Sequence, residues 1–119
     1  MLDGWQDQQA SRGLNVRTVE VRIAFVRRFA AFVDRYPWEW GPGDLEDFVS
    51  RCLSGTRPLA KSTIRNYQTT IRLFCDFITD LRYGWVRECE VHFGLVPQQI
   101  CHEWNTTAHL SEYEGNPGR

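Results

Sequence analysis

Apolar residues recur at helical spacing in two long stretches of this chain. In the first, Val19, Ile23, Val26, Ala30 and Val33 follow steps of four and three, and Phe25, Phe29, Phe32 and Tyr36 form a second stripe. Asn15 is placed to cap this helix, and Pro37 is expected to stop it after Tyr36. "PWEWGPGD" (37–44) is a turn-rich connector, and its Asp44 is placed to cap a short helix through Leu53. That helix shows Leu45, Phe48, Val49 and Cys52 on one side. A second loop, "SGTRP" (54–58), leads into the other long stretch, predicted to run to about Tyr83 and end at Gly84. Further short helices are predicted over Val86–Phe93 and Pro97–Trp104, with a weak one over Leu2–Arg12. Beyond His109, "SEYEGNPGR" reads as a linker, and no strand is predicted. The expected fold is all-α, a compact four- to five-helix bundle. Residues 1–95 form the helical domain, and residues 96–119 a C-terminal helix and linker.

The second long stretch, "AKSTIRNYQTTIRLFCDFI" (60–78), is two-sided in a particular way. On a wheel of about 100° per residue, Ile64, Tyr67, Ile71, Phe74 and Ile78 fall together as a core stripe. Lys61, Ser62, Arg65, Asn66, Thr69 and Arg72 lie on the other side, where Leu73 and Phe77 intrude only further along. The first turns are therefore polar over a broad arc, whereas the later turns are expected to be buried on more sides. Such a polar arc is either the solvated face of an ordinary helix or a surface that reads a partner.

A shift of 45 residues superposes the two long helices, pairing Thr18 with Thr63, Val19 with Ile64 and Val26 with Ile71. It also pairs Arg27 with Arg72, Phe29 with Phe74, Phe32 with Phe77 and Val33 with Ile78. Apolar matches follow from any two amphipathic helices. The Thr and Arg matches are not required by a core and suggest two helices with one task. Two copies are too few for a solenoid.

Charge sharpens the picture. The net charge of −1 conceals a middle segment, residues 12–72, with eleven basic and six acidic residues, and an acidic remainder. All but one of these cations are Arg, Lys61 being the exception, and Arg forks suit phosphate and guanine. Charge alone fits either a polyanion partner or a scattered solvated surface. At 119 residues, the chain is long enough for one core. Its longest apolar runs, Ile23 to Val26 and Phe29 to Val33, are too short to span a bilayer. "MLDGWQDQQ" lacks the basic start and apolar run of a signal peptide. The expected location is the cytoplasm, with no membrane partner and with Cys52, Cys75, Cys89 and Cys101 as thiols. No cofactor is expected. Cys89, His92, Cys101, His102 and His109 are zinc-ligand types within a short span, and Cys89 and His92 have acceptable spacing for half a structural site. Cys101 and His102 are adjacent and would point apart on a helix, so buried thiols and exposed or capping histidines are the competing reading. A zinc-stabilised helical module that docks a protein is thus the alternative function. Trp38, Trp40 and Trp85 flank helix ends, where they are expected to close the core.

"LNVRTVEVRIAFVRRFAAFV" (14–33) and "LAKSTIRNYQTTIRLFCDFI" (59–78), joined by "DLEDFVSRCL", resemble the N-terminal core-binding, SAM-like domain of tyrosine recombinases, the phage-integrase family. The resemblance covers roughly residues 3–85 and rests on the order and spacing of loose motifs. "ICHEWNTTAHLSEYEGNPGR" is similar to the interdomain region of actinobacterial integrases. The resemblance implies a helical domain that clasps duplex DNA at an attachment site and meets other recombinase protomers in a synaptic complex. It implies that two long helices cross and enter the major groove by their N-terminal ends. The DNA contacts it implies are Arg17, Thr18 and Val21 on the first helix and Ser62, Thr63 and Asn66 on the second. Lys61, Arg65 and Thr69 are neighbours on the same arc. Arg22, Arg27 and Arg72 are candidates for phosphate contact, Arg27 and Arg72 alternatively for ion pairs within the domain.

Three departures stand out. Ala60 occupies the position of the family's capping Ser, so that helix start lacks a side-chain cap. Glu20 lies near the implied DNA face, where it repels phosphate unless paired with Arg17 or Arg27. The family cuts DNA with a Tyr nucleophile aided by Arg, Lys and a His-x-x-Arg motif. Here His92, His102 and His109 are followed three residues on by Leu95, Asn105 and Glu112. Tyr36, Tyr67, Tyr83 and Tyr113 lack that setting. The expectation is an integrase fragment that binds DNA without cutting it.

Overall fold

The computed structural model describes residues 1–106, and they contain five α-helices and no strand. These are α1 (Leu2–Ser11), α2 (Val16–Val33), α3 (Pro42–Leu53), α4 (Lys61–Thr79) and α5 (Trp85–Phe93). Short 3₁₀ turns occupy Pro37–Glu39, Leu81–Tyr83 and Glu103–Asn105. The all-helical expectation therefore holds. No helix among the described residues is long and apolar enough to cross a membrane.

Helix ends follow local chemistry, with two shifts from expectation. Asn15 caps α2, its Oδ1 accepting from the Arg17 N–H at 2.7 Å. The helix stops at Val33 rather than Tyr36, because Asp34 turns left-handed at φ 59° while its N–H still closes on the Ala30 carbonyl. Asp tolerates that conformation better than most side chains, and Pro37 holds Tyr36 extended. At α3, Pro42 fills the first turn, and Asp44 stands inside the helix rather than at its cap. Its Oδ2 accepts from the Gly41 N–H at 2.8 Å, and its other oxygen meets the Arg35 guanidinium.

The second shift is at the far end of α4, which closes at Thr79 instead of about Tyr83. The Thr79 hydroxyl donates back to the Cys75 carbonyl at 2.7 Å, competing with continuation of the helix. Asp80 then caps the next turn through the Arg82 N–H, and Gly84, at φ 80°, supplies the left-handed residue that starts α5. Arg82 and its backbone N–H hold the half-buried Asp80 carboxyl down at about 2, from 3.8. A depressed carboxylate adds stability above its unfolded pKa and loses it as pH falls through the folded value. An NMR titration is therefore expected to give Asp80 a midpoint near 2, and Arg82→Ala should return it toward 3.8. A wild-type midpoint near 3.8 would show that the Arg82 contacts are not held in solution.

The core joins all these parts. From α2 come Val19, Ile23, Val26 and Phe29; from α3, Leu45, Phe48 and Val49; from α4, Ile64, Ile71, Phe74, Cys75, Phe77 and Ile78. Trp5 of α1 packs edge-on against Phe74 at 5.2 Å. Gly4 lets α1 approach α4 closely, since an added Cβ would meet the Phe77 ring at 3.3 Å. The later turns of α4 are buried on several sides, as the wheel predicts. Trp40 closes the core as expected, whereas Trp38 and Trp85 are half-buried.

The segment after α5 departs most from the sequence reading. Residues 97–102 adopt no regular secondary structure rather than a helix, and only Glu103–Asn105 make a helical turn. Ile100 and Cys101 are core residues, although the sequence places them outside the helical domain. The Gln98 side chain donates to the Trp40 carbonyl at 3.1 Å, and Gln99 donates to the Arg72 carbonyl and to Asp76. These bonds tie the segment to the connector and to α4, and Gln99 Oε1 also accepts from the Cys101 N–H at 3.0 Å. His109 and the expected linker beyond it lie outside the described residues.

Candidate nucleic-acid interface

The two long helices meet where the Phe25 and Tyr67 rings stack, 4.2 Å apart and 13° from parallel. Arg28 locks this joint. Its Nη1 donates to the Tyr67 hydroxyl at 3.2 Å, and its guanidinium lies over the rings of Tyr67 and Phe48. The joint ties α2, α3 and α4 together close to the N-terminal half of α4. It leaves the outer arcs of α2 and α4 open.

On α2, Arg17, Thr18 and Val21 are exposed within the first two turns. Arg22 is not: it is half-buried and donates to Gln9 Oε1 of α1 at 2.9 Å. Its position on the wheel points it at α1, where it braces the bundle. Arg27 is exposed and makes no ion pair among the described residues. Neither does Glu20, so neither Arg17 nor Arg27 neutralises it. On α4, Lys61, Ser62 and Asn66 are exposed, while Thr63, Arg65 and Thr69 are partly covered. Arg72 is exposed but lies beside the 99–101 segment, since its carbonyl accepts from Gln99 and its charge acts on the Cys101 thiol. It stands apart from Asn66, roughly 120° away around the helix. Ala60 provides no side-chain cap, as the sequence predicts. The arrangement presents cations, hydroxyls and one amide on two adjoining helices, groups able to hold phosphates and read base edges.

Sequence reasoning missed Arg28 and assigned Tyr67 to the core alone. The signal was present, because Arg28 shares a helical stripe with Arg17 and Val21 at about 100° per residue. It became visible only when Tyr67 of the other helix was seen to receive it.

The zinc-ligand types do not converge. Among the described residues, no three His, Cys, Asp or Glu side chains could hold a metal ion. Cys89 is buried, His92 faces Glu88 at 4.0 Å on the surface, and His102 stacks on Trp104. His109 lies outside the described residues. Burial pushes the Cys101 thiol up to about 11, with Arg72 opposing, and the Cys75 thiol up to about 12.

In comparisons with known proteins, no family model, no curated protein and no solved structure matches this chain.

Proposed function

We propose that this chain is a duplex-DNA-binding module, of the kind that holds an attachment-site arm for a site-specific tyrosine recombinase. The observation that carries the reading is the pair of polar, cationic arcs at the starts of α2 and α4, clamped side by side at Phe25 and Tyr67. Arg17, Thr18 and Val21 approach DNA from one helix, and Lys61, Ser62, Thr63, Arg65, Asn66 and Thr69 from the other. The uncapped amides at the start of α4 add partial positive charge where a phosphate would lie. The chain holds DNA and does not cut it, works in the cytoplasm, and meets further protomers of its kind on the recombination site.

The test is selection from a randomised duplex pool followed by a gel-shift titration across salt. Bound duplex should be lost steeply as salt rises, because phosphate neutralisation releases counterions. Lys61→Gln and Arg65→Gln should each weaken all sequences alike and flatten the salt slope by about 1. Asn66→Ala should instead relax the preference among sequences, with a discrimination loss of about 1–3 kcal/mol. No retained duplex at low salt would overturn the reading.

A further inference from the structure

Beside the Phe25–Tyr67 joint lies a shallow cleft among α2, α3 and the loop that follows α3. Three guanidinium groups line it, those of Arg28, Arg51 and Arg57, together with Ser54 and the rings of Phe32 and Phe48. No carboxylate lines this cleft, and the ion pairs among the described residues involve other groups. Uncompensated like charges repel, so a cleft that gathers three of them is suited to an anion.

Two of the three are held by aromatic faces. Arg28 lies over Tyr67 at 5.3 Å and Phe48 at 5.9 Å, and Arg51 over Phe32 at 5.6 Å. Stacking orders a guanidinium without neutralising it and leaves N–H groups at its edge to donate. Arg57 arrives by the loop. The Leu59 N–H donates to the Cys52 carbonyl at 3.1 Å, closing residues 53–58 into a short excursion that returns Arg57 to the cleft. Gly55, at φ 101°, allows the turn. Arg28 of the cleft shares the α2 stripe of Arg17 and Val21 and donates to Tyr67, next in sequence to Asn66.

We infer that the Arg28–Arg51–Arg57 cleft seats a backbone phosphate of the duplex, so that DNA spans from the α4 arc across α2 to the loop after α3. The inference rests on the DNA-binding reading above. It adds the sequence-independent affinity of this cleft to that of Lys61 and Arg65 and leaves base reading to Asn66 at the start of α4. Arg28 supports the fold as well, through Tyr67, so the test uses the other two cations, Arg51 and Arg57, both exposed.

Salt-dependent duplex titrations would be run on the wild type, Arg51→Gln, Arg57→Gln, the double variant, and Arg87→Gln. Arg87, exposed on α5 outside the cleft, controls for loss of one positive charge. The double variant should flatten the slope of log affinity against log salt by about 2, equally for preferred and unrelated sequences. Arg87→Gln should leave that slope unchanged. If the wild type binds duplex but the cleft variants match Arg87→Gln, the cleft inference fails and the DNA reading stands. If the wild type retains no duplex, both fall. A parallel NMR titration with inorganic phosphate alone would follow the Arg51 and Arg57 Nε–H signals. Shifts there without any change in the duplex slope would assign the cleft to a small free anion and overturn the inference.

Discussion

Replacing Trp40 with alanine is expected to remove about 3–5 kcal/mol of stability, the range for truncating a buried large aromatic side chain. For a domain with a total of about 5–15 kcal/mol, that loss leaves little margin at physiological temperature. Trp40 is 1% exposed although it lies in the connector between α2 and α3. Its ring stands edge-on to Phe29 at 4.9 Å and tilted against Phe74 at 5.9 Å, so it joins the two long helices. Its Nε1–H donates to the Arg35 carbonyl at 3.0 Å, and its own carbonyl accepts from Gln98. Trp40→Phe keeps much of the ring contact and loses the indole donor, so it should cost less, about 1–3 kcal/mol. Urea melts of both variants measure the difference. A Trp40→Ala loss under about 1 kcal/mol would show that the connector is not part of the cooperative core.

Placing aspartate at Ile100 is the second large effect, expected to exceed about 3 kcal/mol at neutral pH. Ile100 is fully buried in the irregular segment after α5, and burying a carboxylate there carries a large desolvation cost. The pH dependence carries the diagnosis. Burial raises the folded-state pKa of such a carboxyl above its unfolded value of about 3.9, so the unfolded state releases its proton first. The variant should therefore be least stable above the folded pKa and recover as pH falls toward the unfolded one. Ile100→Asn, which cannot titrate, separates this effect from lost packing. Thermal melts of the two variants across pH should diverge on the alkaline side and converge in acid. Parallel curves, or a near-wild-type melt for Ile100→Asp, would mean that residues 97–101 do not belong to the folded core.

These two sites also mark how far the sequence reaches. Helix positions, the α2 cap at Asn15 and the missing cap at Ala60 were legible, because each depends on neighbours within a turn or two. The α4 core stripe was legible for the same reason. The ends of α2 and α4 were misjudged where one local preference overrode another: Asp34 turned left-handed ahead of Pro37, and Thr79 bonded back onto its own helix. The 97–102 segment was misread as helix because its apolar residues fit either periodicity. Distant partners hold it instead: Trp40, Arg72 and Asp76 accept from Gln98 and Gln99, and the Cys101 thiol donates to the Gln68 carbonyl.

The candidate site divides along the same line. The sequence alone determined a two-sided α4 whose first turns carry Lys61, Ser62 and Asn66, since side-chain direction on a helix follows from its period. It also established the matching Thr and Arg positions on α2. Tertiary structure alone decided that Arg22 turns inward to Gln9 and that Arg72 lies toward the 99–101 segment. It alone decided that Arg28, Arg51 and Arg57 share one cleft. A helix period specifies which residues share a face, but not which neighbour that face meets. Three cations spread over two helices and a loop become one surface only when Phe25, Phe48 and Tyr67 pack.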